Sequence, residues 1–83
     1  MQKNVQCLLL KTGQVLISEI TEVAADIGEP DCKLLKPYSV SSDLKISPWL
    51  EFTKQDVILI RSDDVLTFVE PAKKLLDDYL KIT

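Results

Sequence analysis

Residues Val57 to Val69 read VILIRSDDVLTFV: four β-favouring apolar residues, the abrupt polar run Arg61-Ser62-Asp63-Asp64, then Val65, Leu66, Thr67, Phe68 and Val69. Short apolar, β-branched runs divided by turn-favouring residues predict a strand, a tight turn and a second strand. Val57, Ile58, Leu59 and Ile60 leave no polar face. A strand with two apolar faces has both covered, either by the chain's own core or by another subunit. Arg61 is the one cation in the stretch, and it stands at the corner.

Upstream, Asn4 to Lys11 and Gln14 to Val23 flank Thr12-Gly13. Glycine supplies the positive φ that a tight hairpin turn requires, so these two runs predict a hairpin. In the second run Val15 and Ile17 share one side, Ile20 takes the other, and Val23 returns. A straight strand keeps one phase, so the switch predicts a bend or bulge near Ser18-Glu19. Ala24 to Asp31, with Gly28 and Pro30, is a predicted loop. Cys32 to Val40 predicts a third strand, in which Pro37 cannot donate a ladder bond and so suggests an edge or a strand end.

After a Ser41-Ser42-Asp43 turn, Leu44, Ile46, Pro48, Leu50 and Phe52 alternate with Lys45, Ser47, Trp49, Glu51 and Thr53, the pattern of a half-buried strand. Trp49 falls on the otherwise polar face. It is either an exposed stacking platform or an aromatic packed against a loop or a neighbouring subunit. Thr53 to Asp56 breaks the pattern, which leaves open whether Lys45 to Ile60 is one broken strand or two.

Beyond Glu70, Pro71 is placed to begin a helix. Ala72, Leu75, Leu76, Tyr79 and Leu80 recur at helical spacing and form one apolar stripe. Lys73 and Lys74 sit near the positive end of the helix dipole, and Asp77 and Asp78 nearer its negative end. A helix with that charge order forms only by docking on the rest of the protein or on a neighbouring subunit.

The 83 residues make one domain, with β structure over about 4–70 and a helix over about 71–81. A core this small covers only about 60–65 per cent of the unfolded chain's surface, and self-association adds stability to such domains. At 46% hydrophobic and 28% charged the chain is a folded globular protein. Its longest early apolar run, Cys7 to Leu10, is too short for a signal peptide or a membrane span, so a soluble, cytoplasmic protein is expected. Cys7 and Cys32 lie far apart, with no histidine in the chain, so they read as buried small hydrophobes, and neither a metal nor a cofactor is expected. The net charge of -3 opposes the basic footprint of a protein that grips duplex nucleic acid, so any RNA contact is local.

Ile60, Arg61, Asp63, Asp64 and Val65 match residue by residue the second sequence motif of the Sm and Sm-like (LSm) proteins, an apolar-Ile-Arg-Gly run, two polar residues and an apolar strand; Ser62 stands at the glycine. The hairpin with Gly13 at its turn and the bent second strand resembles the first Sm motif. The match spans about Val5 to Val69 and resembles in particular the small, acidic Sm-like proteins of marine phage, which would place the protein in a bacterial host cell. It implies a mostly β fold, a strongly bent five-stranded antiparallel barrel of SH3 type, here followed by a C-terminal α-helix where the family's helix precedes the first strand. It also implies a homo-oligomeric ring, in which the fourth strand of one subunit pairs with the fifth of the next. The interface would then hold Val57, Ile58, Leu59 and Ile60 on one side and Val65, Leu66, Thr67 and Phe68 on the other.

In that family the arginine of the second motif joins an aspartate, a stacking residue and an asparagine of the first to hold a base. Here the aspartate position falls on Ala24 and the asparagine position near Gly28, so the usual uridine pocket is incomplete. Arg61, Ser62 and Asp63 are the RNA-binding candidates. A ring would repeat Arg61 around its pore and concentrate positive charge there, whereas pairing of Arg61 with Asp63 or Asp64 would neutralise it. Two functions follow: a ring-forming single-stranded RNA binder or RNA chaperone, or a homo-oligomer that acts as a structural or protein-interaction module without RNA. No enzyme is expected, because the carboxylate pairs Glu19/Glu22 and Asp77/Asp78 give no sign of convergence in a cleft.

Overall fold

The computed structural model describes residues 4–50 and 53–83 of the chain. Six strands, β1 (Val5–Leu10), β2 (Val15–Glu22), β3 (Cys32–Val40), β4 (Ile46–Pro48), β5 (Val57–Ile60) and β6 (Val65–Val69), are followed by one helix, α1 (Lys73–Ile82). They form one antiparallel sheet in the order β4-β3-β2-β1-β6, with β5 also paired to β3. The mostly β class and the C-terminal helix agree with the sequence reading; the strand count is six rather than five. Among the described residues no ladder joins β6 to β4 or β5, so the sheet is open.

The additional strand comes from the fourth-strand region. Leu34 and Leu35 pair with Ile58 and Val57 of β5, while Tyr38 and Val40 pair with Pro48 and Ile46 of β4. Both segments therefore lie on the same edge of β3, opposite β2. The alternation expected to run from Leu44 to Phe52 is a strand only at Ile46–Pro48; Phe52 lies outside the described residues. Pro37 is correspondingly not at a strand end. It sits where β3 changes partner: the Lys36 N–H donates to the Asp56 carbonyl at 2.6 Å, and the Pro37 carbonyl accepts from the Trp49 N–H at 3.3 Å.

The bend expected near Ser18-Glu19 is present, and the register explains it. Ile17 pairs with Tyr38 and Glu19 with Leu35, so Ser18 alone stands against Lys36 and Pro37. Two residues opposing one is a bulge, which bends the strand and increases its twist. Lys36 adopts φ 54°, the left-handed region that a residue with a Cβ seldom occupies. The hairpin turn has Gly13 at φ 92°, as its position required.

The bend gives the sheet two apolar faces. On one, Leu8, Leu10, Leu16, Ile20 and Leu34 are buried, and Ile60 of β5 and Val65 of β6 pack on them from opposite edges, so the sheet curls around this cluster. Trp49 also packs there, which favours the packed reading of that side chain. On the other face Cys7 and Ile17 are covered by Leu75 and Tyr79 of α1. Both cysteines are buried and free, as expected.

Helix α1 begins later than Pro71, with Ala72 as an N-cap that makes no side-chain hydrogen bond. Lys73 and Lys74 occupy its first turn, so its N-terminus has neither a cap nor a favourable charge. Docking supplies what local sequence does not: of the apolar stripe, Leu75 and Tyr79 are buried, while Leu80 remains 44% exposed. Each fully buried large side chain contributes about 1.5–3 kcal/mol.

Tyr79 adds a polar anchor. Its hydroxyl donates to the Lys36 carbonyl at 2.9 Å, lies 3.1 Å from the Leu35 carbonyl, and accepts from the Glu19 N–H at 3.3 Å. All three partners belong to the bulge, whose ladder bonds the extra residue interrupts. The buried Ser18 hydroxyl, 3.1 Å from the Leu35 carbonyl and 3.0 Å from that of Glu19, serves the same gap.

Tyr79→Phe keeps the ring and leaves bulge groups without a partner. Unfolding in denaturant is expected to show a loss of about 1–3 kcal/mol. Burial, and secondarily the Glu19 charge, pushes the Tyr79 hydroxyl above the usual tyrosine range. Its contribution is therefore complete below the unfolded-state value of about 10 and is lost as pH rises through the higher folded-state value. In a stability-against-pH series the wild type should weaken above about pH 10 through this group, and Tyr79→Phe should lack that part of the decline.

Candidate functional site: the Arg61 corner and the open sheet edges

The corner between β5 and β6 is a single 3-10 turn, Ser62–Asp64, entered from Arg61 in extended conformation. The Asp64 N–H donates to the Arg61 carbonyl at 3.1 Å, and the Lys11 N–H at the end of β1 donates to the Asp64 carbonyl at 3.0 Å. The corner is thus tied to the first hairpin. Arg61 is exposed, and its Nε lies 3.6 Å from Asp64 Oδ2. This is the neutralising pair that the sequence left as an alternative, though both groups are half exposed and such surface pairs are weak. Asp63 is also exposed.

Ser62 is held from across the chain. Its N–H donates to Asp31 Oδ1 and its hydroxyl to Asp31 Oδ2, each at 2.7 Å. Asp31 closes the β2–β3 loop: its carbonyl accepts from the Val23 N–H at 3.0 Å, and its own N–H donates to the Ile60 carbonyl at 3.2 Å. One carboxylate therefore fastens the β2–β3 loop to the β5–β6 corner. Sequence reasoning missed Asp31, whose partner lies 31 residues away; the only local sign was an acidic residue between Pro30 and a strand.

The resulting end of the molecule is acidic. A groove of about 360 Å³ beside the corner is lined by Ile20, Glu22, Asp31, Ser62 and Phe68, among others. Ile27, at the tip of the same loop, is fully exposed, and Gly28 follows it at φ 87°. The structure brings Arg61 and Ser62 to one corner but puts no aromatic ring or amide of residues 24–28 beside them, because those positions hold Ala24, Ala25, Asp26, Ile27 and Gly28.

The second set of candidates lies on the edges of the sheet. Among the described residues β5 is paired on one side only, to β3, and β6 on one side only, to β1. Leu59 of β5 is 52% exposed, and Leu66, Phe68 and Val69 of β6 are 62%, 38% and 50% exposed. Val57, Ile58, Ile60 and Val65 are half-buried, and Thr67 is exposed. The expectation that both faces of Val57 to Ile60 are covered is therefore not satisfied by the chain's own core. Among the described residues no group of three histidine, cysteine or carboxylate side chains could hold a metal ion, and no helix is long and apolar enough to cross a membrane.

Residues 3–83 match the model of a family of unknown function, DUF6561. The chain belongs to DUF6561. No curated protein matches it. For this DUF6561 chain the features at hand are thus a tethered arginine corner, an acidic loop beside it and two unpaired apolar edges.

Two hydrogen bonds to Ser62 and one to its own N–H hold the Asp31 carboxyl below the usual carboxylate range. Its tethering is present above the unfolded-state value of about 3.9 and is lost as pH falls through the lower folded-state value. Asp31→Asn is expected to speed amide exchange at Ser62 near neutral pH while leaving β1 unchanged. Unaltered Ser62 exchange would show that the carboxylate does not hold the corner.

Proposed function

We propose that this chain is an Sm-like assembly module, whose copies join edge to edge, β6 of one to β5 of the next, and close into a homo-oligomeric ring. The observation that carries this reading is the pair of unpaired edges, each with exposed apolar side chains: Leu59 on one, Leu66, Phe68 and Val69 on the other. Unpaired N–H and C=O groups flanked by apolar residues are a template for another strand. Because the two edges differ, their pairing is head-to-tail, which makes a ring where the rotation closes.

The strand order supports an Sm-like barrel as well. β4 and β5 together stand where that fold has its fourth strand and β6 where it has its fifth, and Ile60 and Val65 meet the same core cluster. In a ring Arg61 recurs once per subunit, and the belt of guanidinium groups is the basis for contact with single-stranded RNA. The second reading, a structural or protein-interaction ring without RNA, is favoured by the Arg61–Asp64 pair and by the carboxylates around the corner.

Native mass spectrometry with and without short U-rich and A-rich RNA oligonucleotides tests both readings. A closed multi-subunit species is expected for the wild type, with Leu66→Glu shifting it to monomer; a wild-type monomer at micromolar concentration would reject the ring. If RNA binds through the arginine belt, Arg61→Ala weakens it by roughly tenfold and lowers its dependence on salt. A ring that takes up no RNA would leave the second reading.

A further inference from the structure

The β2–β3 loop ends in a β-turn, Asp26 to Glu29, closed by the Glu29 N–H, which donates to the Asp26 carbonyl at 3.0 Å. Gly28, at φ 87°, stands where such a turn needs a positive φ. The turn lifts Ile27 clear of the protein, and its whole side chain is exposed. The loop behind it is anchored: the Val23 N–H donates to the Asp31 carbonyl, and Asp31 is fastened to Ser62. From Glu22 to Asp31 there are four carboxylates and no lysine or arginine. The tip is thus a fixed apolar knob in a wholly acidic loop.

At the opposite end of β3, the β3–β4 turn and the last turn of α1 form a shallow groove of about 430 Å³, lined by Leu44, Lys45, Ile46, Asp78, Lys81 and Ile82. Leu44 adopts φ 63°, where glycine or asparagine would suit the turn better. Its side chain is nevertheless half-exposed, as is that of Ile82. Lys45 lies 3.9 Å from Asp43, both well exposed, whereas Lys81 makes no ion pair among the described residues. Three apolar side chains therefore share this groove with an ammonium group that no neighbour there pairs.

We propose that this groove takes the Ile27 turn of a second copy of the chain. Ile27 packs on Leu44, Ile46 and Ile82, and Glu29 meets Lys81. The nine residues of β3 separate a loop from its own groove, so the contact joins different molecules. A second copy is the occupant because one chain carries both halves: an apolar tip ringed only by carboxylates, and an apolar groove with an unpaired ammonium. Burial of Ile27 drives the contact, and the opposite charges orient it. Since the two surfaces differ, the contact is head-to-tail. One turn in one groove covers far less area than a stable interface needs, so a single contact is weak. In a ring it would recur once per subunit and gain by repetition. It goes beyond the ring reading and uses neither β5 nor β6, so it also holds for a single subunit.

Isoleucine-methyl NMR over a dilution series of full-length Leu66→Glu, whose β6 edge is blocked, tests the contact apart from the ring. The methyls of Ile27, Ile46 and Ile82 are expected to shift together with concentration, while those of Ile17 and Ile20, inside the core, stay fixed. Ile27→Ser, at a fully exposed position, should abolish the shifts at Ile46 and Ile82. Glu29→Lys should weaken the association about threefold, as should added salt, and Glu29→Lys combined with Lys81→Glu should restore it. A wild type that is itself monomeric would reject the ring, and the dilution series would still decide this contact.

Methyl shifts of Ile27, Ile46 and Ile82 that stay constant up to the highest soluble concentration would overturn the contact. So would shifts confined to Ile58 and Ile60, which would put the association at the β5 edge. Shifts at Ile46 and Ile82 that persist in Ile27→Ser would overturn it as well.

Discussion

One hydroxyl group settles how this small sheet is bent. The bulge that sets Ser18 against Lys36 and Pro37 curves the sheet, and it also leaves backbone groups without regular ladder partners. Tyr79 reaches them from a separate element, donating a hydrogen bond to the Lys36 carbonyl and accepting one from the Glu19 N–H. The dependence is mutual. Helix α1 has no side-chain N-cap and two lysines in its first turn, so it persists through the seating of Leu75 and Tyr79. The bulge in turn is tolerated because that helix covers it. The same curvature lets Ile60 and Val65, from opposite edges, share one core cluster, and it splits the partner of β3 into β4 and β5.

Much of this was legible in the chain. Gly13 marked the hairpin, the phase change from Ile17 to Ile20 marked the bend, and the spacing of Leu75 and Tyr79 marked the helix face. These signals are local, set by φ preference and by the periods of strand and helix. The two-part fourth strand was not resolved, because alternation from Leu44 to Phe52 fits a strand whether or not a straight partner is available to pair with it. Pro37 signalled an interruption, but the sequence could not distinguish a strand end from a change of partner. At the Arg61 corner the turn and its possible ion pair were visible. The Asp31 tether was not, since a contact between residues 31 positions apart leaves no periodic trace.

Charge and hydropathy are distributed unevenly over the result. The β2–β3 loop and the corner carry Asp26, Glu29, Asp31, Asp63 and Asp64 around a single Arg61. Apolar side chains are left on β5 and β6, the strands with unpaired edges. The proposed ring would cover the edges, and the proposed RNA contact would draw on Arg61, whose guanidinium also meets Asp64. The ring draws on the bend, since it is the curled sheet that brings Ile60 and Val65 of its edge strands to a common core.

Amide exchange at Glu19, followed residue by residue in the wild type and in Tyr79→Phe, tests the role of this hydroxyl most directly. If the Tyr79 oxygen holds the bulge, its removal speeds exchange at Glu19, whose N–H it accepts, by about tenfold or more, while Leu8 and Leu16 in the opposite cluster keep their protection. Unchanged exchange at Glu19 in a variant that has lost the hydroxyl would show that the bend holds without it.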